Sequence, residues 1–407
     1  MSESRIVELL VRWRLWLALA SIVLACLFSL GAQKLYFQSD YKTFFKDDDP
    51  QRVAHESQME EYARSDDEII IIHFPNSPVF TQANLKLLQH ATELAWGMPF
   101  ATRVDSLTNY QYSRANEDEL IVSDFVEDPA SLSSAALANL NAIAQDERQL
   151  ARRLISPDQH STAIFISLAT PAGPAASMDE AEALARTETL NQAFADIVEF
   201  GRQMRRELQA LDPGVQVHRV GNPSISHTFT EMSERDLATL VPLMFAAIVI
   251  ALAVFLRSVA ALAGVLLLIA LSTSAAMGFG GLVGYTLNPL TSSAPIIILT
   301  LAVCDSVHLL VIYLRGLANG LQPEHAMRES LELNVQPIAL TSVTTAVGFL
   351  TLNFSTSPLF VQLGNISAFG VMMAMLLSLC MLPAISLWLV RSSTLRSGSD
   401  SRFTRLA

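Results

Sequence analysis

The chain has 407 residues, 51% of them hydrophobic and 16% charged, with a formal net charge of −12. Neither Ser258–Cys304 nor Leu333–Val390 contains an Asp, Glu, Lys or Arg. Charge-free runs of that length exceed the ~20 residues that cross a bilayer, which excludes an ordinary soluble domain, and the acidic balance argues against nucleic acid as a partner.

The apolar pattern predicts six transmembrane helices: Leu15–Ala32, Leu237–Leu256, Ala260–Val283, Ser292–Leu314, Val335–Ser355 and Val361–Val390. Arg5, Arg12 and Arg14 precede the first span, and Arg257 separates the second from the third. Arg315 and Arg328 lie between the fourth and fifth, and Arg391, Arg396, Arg402 and Arg405 follow the sixth. The short loops on the opposite side, Gly284–Thr291 and Thr356–Phe360, hold no Lys or Arg. Because basic residues mark the cytoplasmic side, both termini are expected in the cytoplasm. The organisation expected is an N-terminal stretch with helix 1 (1–33), an outer domain (34–236), helices 2–6 (237–391) and a polar cytoplasmic tail (392–407). Ser29 and Gly31 would suit a signal-peptide cut, but the apolar stretch is long for one, so an uncleaved anchor is preferred.

The outer segment, residues 33–236, carries 32 acids and 17 bases, which reads as a solvated acidic surface. The three cysteines, Cys26, Cys304 and Cys380, all fall in proposed spans, so the outer domain is not built on disulfides. Within it, Phe44-Phe45 and Asp47-Asp48-Asp49-Pro50 read as connectors. The β-branched run Glu68–Phe74 predicts a buried strand. Thr81–Trp96 has helical spacing with Thr81 as cap. Val104–Leu107 and Leu120–Phe125 read as short strands, Ser131–Leu154 as a helix and Ala163–Leu168 as a strand. Gly173–Ser177 is a linker, Asp179–Leu211 a long helix ending at Asp212-Pro213-Gly214, and Val215–Val220 a final strand. Two β-α-β runs suit split βαβ units. The fold class expected is an α-helical membrane protein of six transmembrane helices, with an α+β ferredoxin-like extracytoplasmic domain inserted between helices 1 and 2.

Asp305 lies inside the fourth span, and His308 follows one helical turn later on the same face. A carboxylate at the centre of a membrane helix costs about 2.5–3.5 kcal/mol on insertion scales, and the default reason for one is an ion or proton path. Such a pair can pass a proton, the carboxylate accepting it and the imidazole relaying it. A carboxylate locked in a permanent hydrogen-bond network is the bland reading. In the fifth span, Thr341, Ser342, Thr344 and Thr345 are natural partners for Asp305, with Thr341, Thr345 and Gly348 on one face, and Ser306 joins Thr341 and Thr345 as a candidate relay partner; ordinary small-residue packing, each hydroxyl bonded to its own helix, explains the fifth-span residues equally well. Asn288-Pro289 reads as a turn former. His73, His90, His160, His218 and His227 are scattered through the outer domain. No GxxxxGK[ST] loop, HExxH motif, Cys/His cluster or GxSxG elbow is present, so no cofactor, metal or enzymatic centre is expected.

The segments LAVCDSVHLL, PIALTSVTTAVGFLTL and FGVMMAMLLSLCMLPAI, with DYKTFFKDDDP after the first span and FLRSVAALAGVLLL at spans two and three, resemble the resistance-nodulation-division superfamily. The closest branch is the MmpL-like, hydrophobe-exporter one, whose membrane core is related to sterol-sensing domains. The resemblance implies export of a lipid or other hydrophobic compound from a bacterial inner membrane, driven by proton influx. It maps the family's fourth-span relay acid onto Asp305 and the histidine of the next turn onto His308. Two positions depart from the pattern: Leu301 stands where the family has glycine, and Ser306 where tyrosine is common. Family transporters usually carry two such halves. One half here implies a homodimer or higher oligomer, a separate partner half, or the front portion of a longer protein; a periplasmic partner is also compatible. A non-transporting lipid sensor or scaffold is the competing reading.

Overall fold

The computed structural model describes residues 3–38, 41–46, 48–62, 66–116, 119–173 and 180–389. The expected tail and most of the 173–177 linker lie outside them. The chain opens with α1 (Glu3–Arg12) and α2 (Arg14–Ser29), passes through an α/β unit, and returns to a helical unit. Among the described residues, one compact unit comprises those from 41–42 and 48–229, the other those from 3–38, 43–46 and 230–389.

In chain order the α/β unit contains α3 (Pro50–Tyr62), β1 (Asp66–His73), α4 (Gln82–Ala95), β2 (Ala101–Asp105), β3 (Gln111–Asn116), β4 (Glu119–Asp124), α5 (Ser134–Asp146), β5 (Ser161–Leu168), α6 (Glu180–Leu211) and β6 (Gln216–Gly221). Four strands form one sheet in the order β2-β5-β1-β6, and each neighbouring pair is antiparallel. β3 and β4 form a separate hairpin. Alternate residues of the central strands, Ile70 and Ile72 with Ile164, Ile166 and Leu168, point to one face. There they share a core with Leu85 and Leu88 of α4 and Ile197 and Leu208 of α6, the pattern of an antiparallel sheet covered by helices on one side. Thr81 Oγ1 accepts the Asn84 N–H at 3.1 Å and caps α4.

Two expectations for this unit change, and one strand was not expected. Asp49-Pro50, expected as part of a connector, starts α3: Pro50 takes the first helical turn, where its missing N–H is harmless, and Asp49 Oδ1 accepts the N–H groups of Gln51 and Arg52 at 2.9 and 3.2 Å. The helix expected over 131–154 stops at Asp146. Leu150, Leu154 and Ile155 are apolar at helical spacing, but they enter the sheet core through a turn with Arg152 at φ 62°. Strand β3 has a polar sequence, QYSRAN, with no apolar alternation to announce it.

At the edge of this core Glu68 is fully buried. Ser224 Oγ donates to its Oε1, and the Ser224 N–H approaches Oε2 at 3.4 Å. Arg219 Nη1 stands 4.0 Å from Oε1 and donates to the Val198 carbonyl at 2.9 Å. Burial raises the Glu68 carboxyl above its ordinary value and, likewise, lowers the Arg219 guanidinium.

The helical unit continues with α7 (Asn222–Leu256), α8 (Val259–Leu282), α9 (Ala294–Ala318), α10 (Pro323–Leu350) and α11 (Pro358–Leu389). Among the described residues, six helical stretches are long and apolar enough to cross a membrane: Arg14–Lys34, Asn222–Leu256, Val259–Leu282, Thr291–Ala318, Pro323–Phe354 and Pro358–Trp388. The second begins well before the expected Leu237, because α7 runs unbroken from the end of β6. α11 packs against α2, α8, α9 and α10. The approach of the first span to α8 is backbone to backbone: a Cβ on Gly278 would fall 1.9 Å from the Phe28 carbonyl oxygen, and one on Gly281 2.0 Å from that of Gly31.

Candidate functional site

Before Arg315 in its last turn, α9 carries no acid or base except Asp305 and His308, and it is packed on one side by α10. Polar side chains on α10 make that contact. Ser330 Oγ donates to the Leu309 carbonyl at 2.6 Å, and Asn334 Nδ2 approaches the His308 carbonyl at 3.4 Å. Further along, Ser342 Oγ donates to Asp305 Oδ2 at 3.3 Å. Asp305 is 7% exposed. Its hydrogen bond from Ser342 is longer than the usual 2.5–3.0 Å for hydroxyl donors, so the carboxylate is lightly held.

Beside Asp305 a cavity of about 140 Å³ opens between α9, α10 and Val371 of α11. Cys304, Asp305 and His308 line it from α9, and Asn334, Pro337, Thr341, Ser342 and Thr345 from α10. Pro337 has no N–H for the carbonyl one turn back, so α10 can bend beside the acid. The volume has room for a few waters beside the carboxylate.

The structure thus brings Asp305, His308, Thr341 and Thr345 to one groove. Thr341 Oγ1 is turned back on its own helix, donating to the Pro337 carbonyl at 2.8 Å. Ser306 is fully buried, and its hydroxyl donates to the Ala302 carbonyl at 2.7 Å; it does not line the groove. The hydroxyl that reaches Asp305 is Ser342. Its signal was a stripe of every fourth residue on α10, Ala326, Ser330, Asn334, Ile338, Ser342 and Ala346, all of them buried. No group of three or more metal-ligating side chains occurs among the described residues.

The family model described as MMPL matches residues 104–405, most of the chain. The chain belongs to the MMPL family. Its membership takes in the whole groove, since α9, α10 and α11 all fall within the match. A protein of Methanocaldococcus jannaschii, named only as a membrane protein, is 25% identical over 181 residues, which is 44% of this MMPL chain and 47% of that protein. The chain spans about half the length of that curated relative. With its six membrane-length helices, this MMPL protein is a multi-pass membrane protein of a transporter family.

Proposed function

We propose that the protein is one half of a proton-driven exporter of lipids or other hydrophobic compounds in a bacterial inner membrane. Both termini lie in the cytoplasm, and the α/β unit stands outside as a ferredoxin-like domain between the first and second spans. The strand order β2-β5-β1-β6 supports that last assignment. The observation that carries the reading is the lightly held Asp305 carboxylate on a groove deep in the fourth span. Asp305 takes up and releases the proton, His308 relays it at the groove, and Ser342 orients the carboxylate. Thr341 and Thr345 wall the path. A second copy, or a separate second half, completes the transporter, and a periplasmic protein can extend the route.

The test uses the purified full chain in vesicles preloaded with Nile red, with an imposed pH gradient and an internal pH dye. Dye export coupled to proton entry is expected from the native chain and absent from Asp305→Asn at equal incorporation. Undiminished export by Asp305→Asn removes the mechanism. Saturable lipid binding with no proton movement in the native chain would establish the sensor reading instead.

A further inference from the structure

Three serines of α11 are not used by the reading above. Ser367, Ser378 and Ser386 are 0%, 0% and 1% exposed, and their Oγ atoms have no hydrogen-bond partner among the described residues. Ser306 shows the usual remedy for a serine in an apolar helix, a bond back to its own carbonyl ladder. The α11 serines are not so bonded. A buried polar group without a protein partner is commonly satisfied by ordered water.

Two contacts set α11 against α9. A Cβ on Gly370 would fall 2.4 Å from Ile298 Cδ1. Tyr313 Oη reaches the Ser386 carbonyl at 3.4 Å. The two pairs advance in step, so α9 and α11 run parallel with an offset of about 72 residues. On that register Ser378 is level with Asp305. Ser378 also shares a face of α11 with Val371, two turns away, and Val371 lines the Asp305 groove. Between Ser378 and Ser386, Pro383 has no N–H to give the Leu379 carbonyl, which adds another polar group to the same stretch.

We infer that Ser378 and Ser386 hold a short file of water between α9 and α11, joining Asp305 to the end of the bundle that carries the α9–α10 connection. Its use in transport rests on the proton-carrying role proposed for Asp305; its existence does not. A proton leaving the carboxyl passes to the nearest water. Each water gives one proton and receives one, and the last delivers to bulk solvent. The serine hydroxyls fix the water oxygens and end unchanged.

Accessibility of introduced thiols tests the file. In the full chain in lipid nanodiscs, with Cys26, Cys304 and Cys380 replaced by Ala, Ser378→Cys and Ser386→Cys are compared with Leu377→Cys, whose site is equally buried but apolar. The probe is a small, water-soluble methanethiosulfonate, read by mass shift. Both serine positions should react at least about tenfold faster than position 377, since thiol reactivity follows access to water; equal rates overturn the inference. In the vesicle assay, Ser378→Ala should slow proton entry about tenfold and Ser378→Thr restore it, a pattern that packing alone would not produce. Proton entry unchanged in Ser378→Ala, with Asp305→Asn inactive, would sink the file as a route while leaving the exporter reading intact. Export unchanged in Asp305→Asn would sink the exporter reading, and the thiol rates would still decide whether the water is there.

Discussion

Glu68 in the α/β unit and Asp305 in the helical unit are both withdrawn from water, and their surroundings differ in kind. Glu68 is enclosed: a hydroxyl and an N–H from Ser224 face its two oxygens, and Arg219 stands beside it. Asp305 receives one long bond from Ser342 and borders a cavity. An acid ringed by donors is part of the frame, because any change in its charge strains every neighbour. An acid with one slack partner and a cavity beside it can change its charge at little cost to the fold. Burial alone does not mark a site; the slack around the buried group does.

The contrast can be broken at either end. The largest effect is expected from Glu68→Ala, which leaves Arg219 buried without its anion and should cost the α/β unit about 3–5 kcal/mol, read as faster hydrogen exchange of the β1 amides in the full chain. Asp305→Asn should shift the thermal stability of the same protein by less than about 1 kcal/mol, as an isosteric change at a slack site, while abolishing transport. Equal losses from the two substitutions would erase the distinction. Next comes Gly278→Val, which forces a side chain into the Phe28 carbonyl and should cost about 1–3 kcal/mol or more. That loss would show the helical unit to be exacting where backbones touch and tolerant at its acid. Thr81→Ala removes the cap of α4 and should cost about 1 kcal/mol, read from the exchange of the first α4 amides. The finest test is a slope. With the Glu68 carboxyl raised above its ordinary 4.5, the folded unit binds this proton more tightly than the unfolded chain does. Its contribution is complete below that value and fades as pH rises through the raised one. Glu68→Gln cannot titrate and should flatten that part of the stability–pH curve; an unchanged curve would show that Glu68 does not titrate in this way.

Much of the helical unit was legible because a bilayer imposes a length and excludes charge, so the runs around Asp305 announced both the spans and the exception within them. Its partner was harder to read. Thr341 and Thr345 share a face, but α10 buries the neighbouring row that holds Ser342, and a helix without strong amphipathicity does not declare which row faces inward. In the α/β unit, local signals placed α4, β1, β5 and β6, each with its own cap or apolar alternation. They did not reveal β3, whose sequence shows no apolar alternation, or the end of α5, where three apolar residues at helical spacing answer to the sheet. The Glu68–Arg219–Ser224 cluster joins residues some 150 positions apart, a proximity that only the sheet order creates.

That sheet order has a consequence during synthesis. The central strand β1 hydrogen-bonds to β5 and β6, and its pairs with β6, from His73 with Gln216 to Glu68 with Gly221, join residues about 140–150 positions apart. At ribosomal speeds of about 5–20 residues per second, β1 waits roughly 7–30 s for its final neighbour. β6 runs directly into α7, so the sheet closes only as the second apolar helix is leaving the ribosome. Until then β1 presents a bare edge of four consecutive isoleucines, and a chaperone that shields such edges would find its substrate in that interval.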